Sequence, residues 1–126
     1  MAGLTLDSGA LIAAERGDRS FWALWKEAEL RDSEVTVPSP VVAQSFRGPR
    51  SAVISRVLRS CVVEPLNDEL ARRVGIVCGE SRTADIVDAA VVVSASQRGD
   101  DILTSDPNDL AHLIAFVEGA GRILRV

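Results

Sequence analysis

Short apolar runs alternate with longer amphipathic stretches over the whole chain. The short runs are typical of buried strands, and apolar residues three or four positions apart are typical of helices. This pattern predicts strands at residues 4–6, 35–37, 61–63, 102–104 and, at an edge of the sheet, 122–126. It predicts helices at residues 8–17, 21–30, 41–47, 51–59, 68–77, 83–98 and 107–115. Because strands and helices alternate, we expect an α/β fold with a mostly parallel central sheet of four or five strands and helices on both faces.

Length and composition indicate a single domain over residues 1–126. A chain of this length buries roughly two-thirds of the surface that it exposes when unfolded, so it needs no disulfide to fold. Cys61 and Cys78 lack metal-ligand and disulfide-framework spacing, and we expect buried thiols in a reducing compartment. The chain shows no signal-peptide pattern and no apolar run of the roughly 18 residues that span a membrane. We therefore expect a cytoplasmic protein without a membrane partner.

The charge balance limits the kinds of nucleic-acid binding that the chain can support. The net charge of −4 argues against a nonspecific nucleic-acid coat, although it leaves room for a local basic patch. All but one of the 14 basic residues are arginine, the side chain suited to phosphate contacts. Arg47, Arg50, Arg56 and Arg59 lie close together in sequence. They predict either an RNA-backbone contact or an ordinary solvated helix face.

Five aspartates stand where predicted strands and helices meet. They are Asp7, Asp85, Asp88, Asp106 and Asp109. In open α/β sheets, ligands bind outside the carboxyl ends of the strands, where the strand order reverses. Asp7 follows the first strand, Asp106 follows the fourth, and Asp85 and Asp88 share one helix face. This arrangement predicts a metal site at that edge of the sheet.

Asp88 carries the strongest part of this prediction. It lies in the apolar segment 86–93, past the first turn of a helix that Thr83 is expected to cap. Burying a carboxylate is costly unless it is neutralised, paired or bound to a metal. The other four aspartates have ordinary structural alternatives, because helix caps and first turns favour acidic side chains. For Asp88, the structural alternative is a satisfied buried hydrogen bond.

The order of four short motifs resembles that of PIN-domain proteins. The motifs are residues 6–8 (Leu-Asp-Ser), 37–48 (Val-Pro-Ser-Pro-Val-Val-Ala-Gln-Ser-Phe-Arg-Gly), 87–89 (Val-Asp-Ala) and 103–106 (Leu-Thr-Ser-Asp). The small size and the Arg-Gly after the second motif resemble VapC-type toxins of bacterial toxin–antitoxin pairs. The resemblance implies a single PIN-like domain and a Mg²⁺- or Mn²⁺-dependent endoribonuclease that hydrolyses RNA phosphodiester bonds.

The resemblance also implies roles for individual residues. Asp7, Asp88 and Asp106 would be the catalytic acids and metal ligands, with Thr104 as the hydroxyl that orients the cluster. Asp85 is not a match to the family motifs and is predicted as a further ligand from its place on the helix face of Asp88. Gln44 stands where most members have glutamate, so the site either gains its missing charge from Asp85 or Asp109, binds metal weakly, or has lost activity. Because an acidic site must still hold an anionic substrate, Arg47 and Arg50 are the predicted RNA-binding residues, with single-stranded RNA favoured over a duplex.

A VapC-type protein implies further partners. These are a VapB-type antitoxin and a second copy of the chain in a homodimer. We expect an amphipathic antitoxin segment to pack between the helix that starts near Phe21 and the helix that carries Arg47 to Arg59. Trp22 and Phe46 are candidate apolar contacts there, whereas Trp25 is expected mainly in the core.

Other function classes are less consistent with the sequence. A catalytically impaired PIN domain that binds RNA or protein remains open because of Gln44. A haloacid-dehalogenase-type phosphatase needs a second aspartate where this chain has Gly9, and a phosphorelay receiver needs a late lysine, whereas the chain has only Lys26. His112, the only histidine, lies outside every motif, which argues against histidine general-base catalysis.

Overall fold

The computed structural model describes residues 3–126 and shows an α/β architecture. Its strands are β1 (Leu4–Leu6), β2 (Val35–Pro38), β3 (Val62–Glu64), β4 (Asp101–Thr104) and β5 (Ile123–Arg125). Its α-helices are α1 (Ser8–Glu15), α2 (Arg19–Leu30), α3 (Ser39–Ser45), α4 (Ala52–Arg59), α5 (Asp68–Ser81), α6 (Ile86–Arg98) and α7 (Pro107–Ile114). A single 3₁₀ turn covers Gly48–Arg50.

All five described strands pair in parallel in the order β3-β2-β1-β4-β5. The chain runs outward from β1 through β2 to β3, then returns past β1 to β4 and β5. The strand order therefore reverses between β1 and β4, where open α/β sheets form their ligand sites. Because such crossovers are right-handed, α1, α2 and α4 cover one face, while α5, α6 and α7 pack together on the other. The predicted fold class is confirmed.

Helix α6 is the central helix of the core. Its residues 89–95 are all buried, because it lies against β1, β2 and β4 and is covered in turn by α5 and α7. A helix that is apolar on every side has to be enclosed in this way. Gly99 adopts a left-handed conformation (φ 72°) and ends α6, as predicted. The packing fixes the start of α6 near the carboxyl ends of β1 and β4.

Several element boundaries differ from the sequence prediction. Helix α3 begins at Ser39 rather than at residue 41, since proline is tolerated in the first turn of a helix. It ends at Ser45 because Phe46 is extended, which leaves Arg47 outside the helix. Strand β3 lies one residue later than predicted, and Val62 and Val63 are exposed on it. Trp25 is buried in the core, as expected.

The two cysteines are free and only partly buried, packed against the core rather than within it, so the expectation of buried thiols was wrong in degree. Burial raises the pKa of the Cys61 thiol to about 12, which keeps it protonated and poorly nucleophilic. Among residues 3–126, no helix combines the length and the apolar character needed to span a bilayer.

A partly buried ion-pair network ties α6 to the sheet. Arg98 donates hydrogen bonds to Asp100 (Nε to Oδ2, 2.9 Å), Glu64 (2.9 Å), Thr5 (3.0 Å) and Ser94 (2.8 Å). Thr5 in turn donates to Asp100 Oδ2 at 2.8 Å. Asp100 is only 3% exposed, so its charge depends on these donors. The network holds the end of α6 that is remote from the aspartates.

Candidate metal centre

Asp7 is the most deeply buried of the five aspartates. It directly follows β1 and caps α1, where its Oδ1 accepts a hydrogen bond from the backbone N–H of Ala10 at 2.8 Å. The residue is 7% exposed. This cap explains why the chain turns from strand to helix at this residue. It also fixes one carboxylate at the point where strand order reverses.

Thr104 connects Asp7 to Asp106. It is the last residue of β4 and is fully buried, and its Oγ1 accepts a hydrogen bond from the backbone N–H of Asp106 at 2.9 Å. A hydroxyl can accept and donate at the same time. Burial raises the pKa of the Asp7 carboxyl, and a hydrogen bond with the Thr104 hydroxyl offsets part of this rise. Asp106 occupies the cap position of α7, but its side chain makes no capping hydrogen bond among the described residues, so a purely structural role as a helix cap is not supported.

The start of α6 differs from the prediction in two respects. Asp85, not Thr83, caps the helix: its Oδ1 accepts from the backbone N–H of Asp88 at 3.0 Å. Thr83 lies too early because α6 begins only at Ile86, and its hydroxyl instead accepts from the backbone N–H of Asp85. Asp88 consequently lies within the first turn and is half-buried, not enclosed past that turn. Its neighbour Ile86 is 55% exposed, so the apolar run 86–93 is buried only from residue 89.

The five aspartates influence one another electrostatically. Burial and the neighbouring charge of Asp85 raise the pKa of Asp88 to about 7, with smaller contributions from Asp7 and Asp109. Burial raises the pKa of Asp7, and the charge of Asp106 adds to this effect. The charge of Asp106 and a hydrogen bond with it raise the pKa of Asp109. Carboxylates this close to one another repel, and binding a proton or a cation relieves the repulsion.

The chemistry of these side chains fits a hard divalent cation, while their arrangement is not that of a formed metal site. Carboxylate oxygens are the ligands that suit Mg²⁺ and Mn²⁺. Within residues 3–126, however, no three His, Cys, Asp or Glu side chains converge closely enough to hold an ion together. Like charges are expected to stay apart without a cation. The structure thus gathers the predicted acids at one edge and leaves their role as ligands a prediction.

A cleft of about 360 Å³ opens beside the start of α6. It is lined by Thr83, Asp85, Asp88, Asn108, Asp109, His112 and Leu113. The predicted acids Asp85, Asp88 and Asp109 therefore share one cavity. Asn108 and His112 were not predicted to border the site, since they belong to no motif. The spacing of His112, three residues after Asp109 on α7, is the only sequence signal that could have indicated it.

Gln44 and the arginines differ in how the structure places them. Gln44 on α3 reaches the start of α1, where its Oε1 accepts a hydrogen bond from Ser8, the neighbour of Asp7. Arg47 turns back and donates to the carbonyls of Ala43 (3.1 Å) and Phe46 (2.8 Å). Arg50 is exposed in the 3₁₀ turn. Of the two predicted RNA-binding arginines, Arg50 is thus the more available for a phosphate.

Neither a protein-family profile nor a curated protein matches the sequence. The structure is similar to the crystal structure of PAE2754 from Pyrobaculum aerophilum, with a TM-score of 0.62 and 18% identity over 97% of this chain and 84% of that one. It is also similar to the crystal structure of FitAcB from Neisseria gonorrhoeae, with a TM-score of 0.64 and 13% identity over 96% of each chain. At these identities the similarity concerns the fold alone. It confirms the single-domain α/β fold class that the sequence predicted.

The raised pKa of Asp88 predicts a specific pH dependence of stability. The folded state binds this proton more tightly than the unfolded chain does, because the pKa rises from 3.8 to about 7 on folding. The stabilising contribution is complete below pH 3.8 and is lost as the pH rises to about 7. We expect the stability of chelator-treated wild type to fall over this range relative to Asp88→Asn, as measured by urea unfolding at a series of pH values. Parallel pH profiles for the two proteins would contradict the assignment.

Proposed function

We propose that the protein is a metal-dependent endoribonuclease and the toxin component of a cytoplasmic toxin–antitoxin pair. The observation that carries this proposal is the group of five aspartates at the carboxyl edge of the sheet, with raised pKa values at Asp7, Asp88 and Asp109. Strand-order reversal between β1 and β4 brings them together from three separate parts of the chain. A cluster that disfavours its own negative charge is suited to bind a divalent cation.

In this proposal Asp7, Asp88 and Asp106 hold the cation, with Asp85 as a further ligand and Asp109 in support. Bound Mg²⁺ or Mn²⁺ would lower the pKa of a water molecule and neutralise charge on the RNA phosphate. The buried Thr104 hydroxyl hydrogen-bonds the Asp7 side chain and the Asp106 backbone, and so holds these two residues in a fixed relative position. Asp88 binds metal only as a carboxylate, and its pKa of about 7 makes protons compete with the metal near neutral pH.

The proposed antitoxin partner rests on two exposed aromatic side chains. Trp22 and Phe46 expose 36% and 38% of their surface on or next to α2 and α3. Exposed aromatic side chains are frequent anchors in protein interfaces. A VapB-type antitoxin segment with apolar anchors and a basic side chain would suit this surface and the acidic cluster together. A homodimer and a single-stranded RNA substrate complete the proposal.

A catalytically impaired PIN-like domain that binds RNA or protein is the second candidate. Two observations favour it: the neutral Gln44 lies beside Asp7 through Ser8, and the described carboxylates do not converge on one point. The two candidates differ in a cleavage assay. Purified protein is incubated with labelled single-stranded RNA in Mg²⁺, in Mn²⁺ and in chelator. Metal-dependent fragments support the nuclease, whereas RNA binding without fragments supports the binding module.

Metal binding is also testable through stability. We expect millimolar Mn²⁺ to raise the melting temperature of chelator-stripped protein, because a ligand that binds only the folded state stabilises it by about 2.7 kcal/mol at one hundred times its Kd. Asp7→Asn should reduce this shift. Asp68→Asn is the matched control, since Asp68 is an exposed aspartate on α5 that pairs with Arg72. A melting temperature that stays constant over the whole metal titration would count against a metal site.

A further inference from the structure

Gln44 makes one side-chain hydrogen bond within residues 3–126, and this bond uses its oxygen. Ser8 Oγ donates to Gln44 Oε1 across 36 positions of sequence. Ser8 is the first residue of α1, where the backbone offers free N–H donors and no free carbonyl. The Ser8 hydroxyl therefore takes its acceptor from Gln44. This contact orients the carboxamide and leaves its NH₂ group without a partner among the described residues.

The hydrogen bond to Ser8 brings Gln44 next to the residue that follows Asp7. Ser8 adjoins Asp7, and Asp7 interacts electrostatically with Asp88 and Asp106. An anionic RNA backbone that approaches this edge meets carboxylates, so a neutral hydrogen-bond donor there is favourable to it. Amide side chains commonly donate to phosphate oxygens in nucleic-acid complexes. A metal ligand would instead use the amide oxygen, and one of the two lone pairs of that oxygen already accepts from Ser8.

We propose that Gln44 is an RNA-phosphate donor rather than a metal ligand, and that Ser8 is the positioning residue that turns its NH₂ group outward. This inference rests on the proposed nuclease function and deepens it by assigning the substrate contact of one residue. It also gives a physical role to an amide at a position where glutamate would add one more negative charge. With an amide at this position, the site repels the RNA phosphates less than it would with a glutamate.

The test measures RNA binding and metal binding separately. Fluorescence anisotropy with a fluorescein-labelled, random-sequence single-stranded RNA, at saturating Ca²⁺, reports RNA affinity. Thermal shift against Mn²⁺ without RNA reports the metal midpoint. We expect Gln44→Ala to weaken RNA binding about five-fold, equivalent to one neutral hydrogen bond, with a metal midpoint within about two-fold of wild type. Gln44→Glu should weaken RNA binding by about ten-fold or more, because it replaces the donor by a charge.

Two controls separate the contact from charge and folding effects. Gln97→Glu adds the same charge on an exposed position near the far end of α6 and should change RNA affinity by less than about two-fold. Ser8→Ala should weaken RNA binding about three-fold relative to wild type. Ser8→Thr retains the hydroxyl and should bind RNA with the wild-type affinity.

The outcomes distinguish this inference from the proposed function. A raised metal midpoint in Gln44→Ala with unchanged RNA affinity at saturating metal would overturn the inference, as would tighter RNA binding by Gln44→Glu. RNA binding that is equal in wild type and all Gln44 variants would overturn it while leaving the nuclease intact. Wild-type protein that neither binds nor cleaves RNA would overturn both.

Discussion

Asp88→Asn is expected to reduce metal-dependent RNA cleavage by more than about 100-fold, because it removes a negatively charged ligand from the proposed centre. The metal-free variant should be at least as stable as wild type near neutral pH. The folded protein raises the pKa of Asp88 to about 7, so a charged carboxylate is disfavoured there and a neutral amide of the same size is accommodated. The measurements are a gel-based cleavage assay in Mn²⁺ and urea unfolding in chelator.

The cleavage rate and the stability of Asp88→Asn together distinguish a metal ligand from a residue that only supports folding. A residue that serves folding alone would lower stability and activity together, whereas a ligand in a crowded carboxylate group should lower activity only. Asp68→Asn again provides the control, as a surface aspartate whose loss should change neither property appreciably. A destabilised Asp88→Asn protein that cleaves RNA at the wild-type rate would rule out the ligand assignment.

The parallel sheet was predictable because its signal is local. The short apolar strand at residues 102–104 and the long apolar helix that ends before Gly99 can each be recognised from a short stretch of the sequence. The exact helix starts were less predictable, since several polar residues compete as caps. Thr83 and Asp85 are both good cap residues, and only the packing of α6 selects Asp85.

The candidate site was predictable in composition but not in detail. Aspartates that follow strands must meet at the carboxyl edge of a parallel sheet, and Asp7 and Asp106 do so. The exposure of Asp88 was not predictable, because apolar neighbours in sequence do not show which way the first turn faces. The contact between Ser8 and Gln44 joins residues 36 positions apart and has no sequence signal.

The Arg98 network was entirely absent from the sequence prediction, for the same reason. Its partners Glu64 and Thr5 lie 34 and 93 positions away, and no motif links them. Arg98 was predicted only as the last residue of its helix. In the structure it compensates Asp100, which is 3% exposed, and Glu64, whose buried Oε1 has no hydrogen-bond partner among the described residues. Such an arrangement predicts a large effect on stability.

Arg98→Met is accordingly expected to lower the free energy of unfolding by about 3 kcal/mol at neutral pH. Methionine replaces much of the apolar volume of the arginine stem but leaves the buried Asp100 charge without a cation, and uncompensated buried charges cost about 3–5 kcal/mol. The 25% exposure of the Arg98 side chain places the expected value at the lower end. Arg72→Met is the matched control: its pair with Asp68 is 79% and 82% exposed, so we expect a loss of about 0.5 kcal/mol or less. Urea unfolding of both variants measures the difference. Equal and small losses would show that the network contributes little, and that α6 is held on the sheet by its apolar packing alone.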